Sequence, residues 1–179
     1  MDHLAPATLS RELRKGSSPD LKRRRWTIGL SIVGAAIGGV VTLYQTGIIK
    51  RLPDILPGSL FDAEKVDASD YAYKRLQMPD APQMMMTYAL TAALASAGGA
   101  DRATRQPALP LAMAAKAWYD FATCVKLGRE EWADNQALCS WCQVATLVSA
   151  VTAALSLPEA VRAGRTLLSG ADEGAQVAA

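Results

Sequence analysis

Four apolar runs alternate with blocks of charge along the chain, and each run is long enough to form a membrane-spanning helix. They cover residues 26–49, 81–100, 106–125 and 138–158. A helix of about 20 residues crosses the hydrocarbon core of a bilayer. A soluble four-helix bundle would carry charge on an outer face at every turn, and these runs do not. The pattern therefore predicts an all-α fold, a transmembrane four-helix bundle.

The first run follows basic residues, as the apolar part of a cleaved signal peptide also does. It is longer than a typical signal-peptide core, however, and the following "YQTGIIKRLP" is not a small-residue cleavage site. We therefore interpret residues 26–49 as a retained span.

The charge pattern predicts an orientation for this bundle. Lys22, Arg23, Arg24 and Arg25 form a basic cluster just before the first span, and such clusters stay in the cytoplasm. Counting spans from there gives a multi-pass protein with both termini cytoplasmic. The chain then divides into a basic tail (1–25), a membrane domain (26–163) and a second cytoplasmic tail (164–179).

The longest loop, residues 50–80, joins the first two spans and contains more acids than bases, which suits the outer side. Pro53, Pro57 and Gly58 interrupt any helix at its start. The stretch "SDYAYKRL" could form a short helix on the membrane surface, with Tyr71 and Tyr73 as anchors. We expect the loop to pack over the outer mouth of the bundle as an extracytoplasmic cap.

Overall composition excludes some functions. The formal net charge is +2, and no basic cluster lies on a predicted folded face, which argues against nucleic-acid binding. Three cysteines are too few for the disulfide framework of a small secreted domain.

Two of the three cysteines, Cys139 and Cys142, form a Cys-x-x-Cys pair where the fourth run begins. At the first turn of a helix, the amides and the dipole favour a thiolate on the first cysteine, and the spacing lets a disulfide form and open. Redox chemistry is the favoured interpretation, and inert packing stays open. Zinc needs four ligands, and only Cys124 and the distant His3 remain, so no metal site is predicted.

The stretches "YQTGIIKRLPD", "MPDAPQMMMTY" and "ALCSWCQVATLVSAVTAALSLPEA" resemble bacterial members of the vitamin K epoxide reductase family, across residues 26–163. The resemblance implies an inner-membrane thiol–quinone oxidoreductase whose helices hold a quinone of the ubiquinone or menaquinone type. It also implies that Cys142 faces the quinone and that Cys139 exchanges with an electron donor.

The resemblance also suggests four quinone-binding positions. The family commonly has Pro-Asn at the start of the second helix, where the Asn bonds a quinone carbonyl, and this chain has Asp80, which can donate that bond only when protonated. Tyr88 matches a family tyrosine. Thr146 stands where animal members have a tyrosine. Trp141 would form an aromatic wall, or else belong to the interfacial aromatic belt.

The loop departs from the family, because many members carry a second cysteine pair there and residues 50–80 contain no cysteine. A donor must then reach Cys139 directly, and an external thioredoxin-like protein is the expected partner. Cys124 is either a lone resolving thiol or a buried small hydrophobe. The missing pair also leaves an alternative, a non-enzymatic accessory subunit of a membrane complex whose cysteine pair is structural.

Lys116 and Asp120 lie four residues apart, on one face of the third span. Charges inside a membrane are costly unless they pair or face a cavity. We favour a mutually satisfied ion pair, with a proton path beside the quinone as the alternative.

Overall fold

The structure, a computed structural model, describes residues 5–177, and it describes side chains up to residue 169. This part of the chain is helical and contains no strand. Its eight helices are α1 (Pro6–Lys15), α2 (Pro19–Gln45), α3 (Ala63–Asp67), α4 (Asp70–Tyr73), α5 (Asp80–Ser96), α6 (Arg102–Arg105), α7 (Ala108–Asn135) and α8 (Ser140–Val177).

The four long helices α2, α5, α7 and α8 coincide with the four apolar runs, so the all-α prediction is confirmed. Helix α2 packs against α5 and α8, and α7 packs against α8 and α5. Among the described residues, two helices are long and apolar enough to cross a membrane, namely α2 and residues 140–169 of α8. Helix α5 has only 17 residues. Helix α7 is long, but it carries Lys116, Asp120 and further charges near its end.

The helix bounds differ from the predicted spans mainly where polar residues extend a helix. Helix α2 begins seven residues before Trp26, because Ser18 caps it through a bond from the Leu21 amide and Pro19 suits the first helical position. The basic cluster is therefore part of this helix. Helix α7 continues ten residues beyond its predicted end, and α8 continues through Pro158.

Two arginines close the end of the bundle opposite the cysteine pair. The guanidinium of Arg24 donates to the four carbonyls of Ala95, Ala97, Gly98 and Gly99. Ala95 lies in the last turn of α5, where a helix leaves its carbonyls unpaired, and the other three carbonyls follow directly after the helix ends. Arg102 donates to the carbonyls of Leu94 and Ala97 and forms a two-pronged ion pair with Glu159 at 2.8 Å. Both partners of this pair are buried.

The loop between α2 and α5, residues 46–79, packs over the end of the bundle that carries the cysteine pair. One buried apolar cluster joins the loop to the helix ends, and it contains Val41, Leu52, Ala63, Val66, Tyr71, Ala81, Ala137 and Cys139. The predicted short helix is present as α4, but its role as a surface anchor is wrong. Tyr71 is buried and donates to the Leu127 carbonyl, and Tyr73 donates to the Gln45 carbonyl. Both tyrosines therefore fasten the loop to the bundle.

Candidate functional site

The cysteine pair lies at the start of α8, as the spacing predicts. Cys139 immediately precedes the helix, and Cys142 lies in its first turn. The backbone N–H of Cys142 donates to the sulfur of Cys139 at 3.3 Å, so the first cysteine caps the helix with its own thiol. Both thiols are free. An amide aimed at sulfur at a helix N-terminus favours a thiolate, whereas the burial of Cys139 and the nearby Asp67 carboxyl group oppose it, so the resting pair is held as thiols.

The two cysteines face different surroundings. Cys142 is half-buried and lines a cavity of about 300 Å³ among α2, α5, α7 and α8. Cys139 is fully buried beneath the loop. A small aromatic ring fits a cavity of this size, because binding sites for small molecules begin at about 300 Å³. The geometry thus gives one cysteine access to a ligand and keeps the other covered.

Three of the four predicted quinone-binding residues, Asp80, Tyr88 and Thr146, line this cavity together with Cys142. Trp141 is not among its lining residues. Its indole N–H donates to the Pro53 carbonyl at 3.0 Å, so the ring fastens the loop to α8. It packs against both buried apolar clusters of the bundle rather than standing apart as an interfacial residue.

The hydroxyls of the two predicted donors already have partners. Tyr88 is buried, with its hydroxyl 2.6 Å from the Ala145 carbonyl and 2.9 Å from the Ser149 hydroxyl. Its ring lies directly over Gly34, where an added Cβ would be 2.5 Å from the ring. Thr146 donates to the Cys142 carbonyl one turn earlier in α8 at 2.9 Å. Each hydroxyl oxygen retains lone pairs, but donation to a ligand requires the existing bond to be exchanged.

Asp80 begins α5 at the mouth of the cavity. Gln45 donates to its carboxyl at 2.8 Å, and burial raises the pKa of Asp80 above its usual value. A raised pKa favours the protonated form, in which the carboxyl group is a hydrogen-bond donor. Only this protonated form could donate a hydrogen bond to a quinone carbonyl, as the Asn does that the family commonly has at this position.

The sequence pattern did not predict two buried acids that lie next to the cysteines, Asp67 and Glu131. Burial raises the pKa of both Asp67 and Glu131 to about 7. Glu131 accepts from the Cys139 backbone N–H at 3.3 Å. An oxygen of Asp67 and the sulfurs of Cys139 and Cys142 all lie within 4.8 Å of one another. Neither acid belongs to a motif, and only the folding of the loop and of α7 onto α8 reveals them.

A second set of polar contacts holds the loop over Cys139. The Asp54 carboxylate accepts from the Ala63 N–H at 3.0 Å and from the Ser140 N–H at 3.3 Å, so it joins the first turns of α3 and α8. In return, the Ser140 hydroxyl accepts from the Ile55 N–H at 3.0 Å. The Leu138 backbone adds two bonds to the loop: its N–H donates to the Leu60 carbonyl at 2.9 Å, and its carbonyl accepts from the Asp62 N–H at 3.0 Å. These bonds close the loop directly above the buried thiol.

Lys116 and Asp120 form the predicted ion pair within α7. Lys116 also donates to the Thr91 hydroxyl of α5 at 2.5 Å, which satisfies the charge inside the bundle. Asp120 lines the same cavity as Cys142. The pair is therefore mutually satisfied, and one member also borders the ligand space.

Cys124 lies on α7 and lines the cavity, with its sulfur 3.6 Å from the Ser149 hydroxyl. It is half-buried and is not in the group that Asp67 forms with the paired cysteines. That group offers three ligand atoms within the described residues, one fewer than the four that structural zinc sites use. His3, the remaining candidate in the sequence, lies outside the described residues.

Comparison with known proteins gives one match. A model of the "Vitamin K epoxide reductase family" matches residues 25–157. No curated protein matches the chain, and no solved structure does. The matched region contains most of the four-helix bundle, the loop and the cysteine pair. Because the match covers well over half of the chain, this protein belongs to the vitamin K epoxide reductase family of membrane oxidoreductases.

Proposed function

We propose that the protein is a membrane thiol–quinone oxidoreductase, which passes electrons from an external dithiol protein through Cys139 and Cys142 to a membrane quinone. The observation that carries the proposal is the position of Cys142, which borders a ligand-sized cavity while Cys139 lies one helical turn away beneath the loop. A relay needs this arrangement, because the two sulfurs must reach each other while only one of them reaches the quinone.

The reaction has two halves that balance in electrons and protons. A donor dithiol reduces the Cys139–Cys142 disulfide by thiol–disulfide exchange, with the donor sulfur attacking Cys139 and Cys142 leaving as a thiolate. The reduced pair then returns to the disulfide and gives two electrons and two protons to the quinone, which becomes a hydroquinone. Asp80, Tyr88 and Thr146 would orient the ring in the cavity.

The proposal includes a placement in the membrane. All four long helices would span a bacterial inner membrane, with both termini cytoplasmic and the loop on the outer side. Family membership and the two strongly apolar helices support it. An oxidising outer compartment also suits a partner that carries a disulfide or a dithiol, such as a thioredoxin-like protein.

The test uses the full chain, purified in detergent, with dithiothreitol as donor and ubiquinone-1 or menadione as acceptor. Dithiol-dependent quinone reduction, followed by absorbance, should require both paired cysteines. Cys139→Ser and Cys142→Ser should each abolish it, whereas Cys124→Ser should retain it. Turnover that survives Cys142→Ser would overturn the proposal.

A trapping experiment tests which cysteine meets the donor. In the Cys142→Ser variant, a thioredoxin-like domain whose single active cysteine is carried as a mixed disulfide with thionitrobenzoate should exchange with Cys139. The Cys139 sulfur attacks the domain's sulfur, thionitrobenzoate leaves, and a stable mixed disulfide remains. The Cys139→Ser variant should not trap it. Trapping on Cys142 alone would reverse the assigned order of electron transfer.

The second candidate is an accessory membrane subunit with a structural cysteine pair. Two observations favour it, namely the loop without cysteines and the complete burial of Cys139. The two candidates differ in the redox state of the pair in cell membranes. A relay is oxidised and reduced as the quinone pool changes, whereas a structural pair keeps one state throughout.

A further inference from the structure

Asp67 occupies an unusual position for a loop residue. It ends the short helix α3 and is almost completely buried, with 2% of its surface exposed. Its oxygen Oδ2 has no hydrogen-bond partner, while Gln45 approaches Oδ1 at 3.4 Å. A buried carboxylate oxygen without a partner is costly, so such a group calls for a functional explanation.

The nearest reactive groups to this carboxyl are the two thiols. One carboxyl oxygen of Asp67 and both sulfurs lie within 4.8 Å of one another. Gln45 also holds Asp80, so a single amide links Asp67 to the acid at the mouth of the cavity. The loop therefore brings a proton acceptor to the cysteines, although it carries no cysteine of its own.

We propose that Asp67 is the general base that takes the proton from Cys139 when the cysteine pair closes to a disulfide, and the acid that returns it when the pair is reduced. This inference rests on the proposed function. A thiol is a poor nucleophile and a thiolate a good one, so closure of the pair needs a base beside the buried sulfur.

Disulfide formation transfers two electrons and two protons from the cysteine pair. The Cys142 sulfur adds to the quinone ring as its proton passes to a ring oxygen, and the Cys139 proton moves to Asp67. The Cys139 sulfur then attacks the Cys142 sulfur, so the S–S bond forms, the bond between Cys142 and the ring breaks, and its electron pair stays on the ring, which becomes the hydroquinone. The proton on Asp67 and the one from Cys142 end on the hydroquinone or in water. In the reverse half, the donor first forms a mixed disulfide with Cys139, and its second thiolate then attacks the donor sulfur and expels Cys139 as a thiolate, which Asp67 protonates.

The surroundings suit a group that exchanges a proton near neutral pH. Burial, with a smaller contribution from the neighbouring acids Asp80 and Asp54, raises the pKa of Asp67 to about 7. The titratable groups around it come from each adjacent element: Asp54 of the loop, Asp80 of α5, Glu131 of α7, Tyr44 of α2, Tyr73 of α4 and the two thiols of the cysteine pair. A base works best when its pKa is close to the working pH.

The test is a single-turnover reaction of the fully reduced full-length protein with excess ubiquinone-1, in which disulfide formation is followed by quenching and thiol alkylation. Asp67→Asn should slow closure about 100-fold at pH 7, the size of effect that one general base contributes. The wild-type rate should rise with pH and level off above about 7. The Asn variant should lack that plateau and keep rising as hydroxide replaces the base. Asp67→Glu should restore part of the rate.

Asp70→Asn is the matched control, because Asp70 is an exposed acid three residues away in the same loop. Its rate and pH profile should equal those of the wild type. An Asp67→Asn protein with the wild-type rate and plateau would overturn the inference. If Asp67→Asn does not fold, Asp67→Glu provides the test. A midpoint equal to that of the wild type in its profile of disulfide-formation rate against pH would equally refute the role of Asp67.

The outcomes also separate this inference from the proposed function. Quinone reduction that persists without Cys142 removes the function itself. Quinone reduction that needs both cysteines but not Asp67 would support the proposed function and refute only the role of Asp67 as a base.

Discussion

The bonds of Asp54 lead to a quantitative prediction about access to Cys139. Cys139 has no exposed surface, yet the proposed donor must touch its sulfur, so the loop must open. Asp54 accepts one backbone N–H from α3 and one from α8, at 3.0 and 3.3 Å. Asp54→Ala removes both bonds and leaves two amides without their acceptor, which should shift the equilibrium towards the open loop.

The size of this shift follows from the two lost bonds. A hydrogen bond to a charged group contributes about 1.5–3 kcal/mol, and these two are only partly buried. A total of about 2–4 kcal/mol is therefore reasonable, and each 1.4 kcal/mol changes an equilibrium tenfold. We expect the open population to rise about 30- to 700-fold, and the alkylation rate of Cys139 to rise by the same factor.

The assay measures that rate on a protein in which Cys139 is the only thiol, after Cys124→Ser and Cys142→Ser. Alkylation by N-ethylmaleimide is followed by mass spectrometry, with and without Asp54→Ala. Asp62→Ala is the control, because the Asp62 side chain caps α3 from an exposed position, and the bond from the Asp62 N–H to the Leu138 carbonyl is a backbone bond that the substitution keeps. The reasoning fails if Cys139 in the parent protein already reacts as fast as a free thiol, or if Asp54→Ala leaves the rate unchanged.

Three further predictions concern packing and stability, each measured by thermal unfolding in detergent. Gly34→Ala should destabilise the protein by about 1–3 kcal/mol, because its methyl group would meet the ring of Tyr88 at 2.5 Å, and Tyr88→Ala in the same chain should remove that clash. Arg102→Met should cost about 3–5 kcal/mol by leaving Glu159 buried without its partner, and adding Glu159→Met should recover most of that loss. Asp67 has a folded pKa of about 7 against 3.8 in the unfolded chain, so the folded state binds the extra proton, and its contribution to stability should fall by up to about 1.4 kcal/mol per unit as pH rises from 4 to 7. Because Glu131 has a similarly raised pKa, Asp67→Asn should reduce the measured slope by about that amount and leave the remainder.

The sequence predicted the features that depend on periodicity and on local chemistry. Four apolar runs became four long helices, and the Cys-x-x-Cys spacing correctly indicated a pair at the start of α8. Lys116 and Asp120 meet because residues four apart always share a helix face. Such features need no knowledge of how distant segments pack.

The features that the sequence did not predict all arise from contacts between distant segments. Arg24 was interpreted as one of four equivalent cytoplasmic charges, but it is buried against the end of α5, about 70 residues away. Tyr71 was interpreted as a membrane anchor, but it fastens the loop to α7. Asp67 looked like any acid of a polar loop, because nothing near it in the chain shows that α8 will cover it.

The position of the folded loop over Cys139 determines how electrons can reach that thiol when the loop carries no cysteine of its own. A loop that carries a second pair can deliver electrons while it stays closed, because its own sulfurs reach the buried thiol. The loop of this chain has only acids and hydrogen bonds to offer there. If electrons arrive from outside, the loop must move away from Cys139, and the same movement takes Asp67 away from the thiols until the donor leaves and the loop closes, when Asp67 can protonate Cys139. Entry of electrons and closure of the disulfide would then need different loop positions, which makes the loop a gate between the two halves of the reaction.

A disulfide that locks the loop to α8, for example between Ile55→Cys and Ser140→Cys, should therefore block reduction by a donor protein while leaving single-turnover oxidation by ubiquinone-1 intact. Equal loss of both half-reactions would contradict this gating.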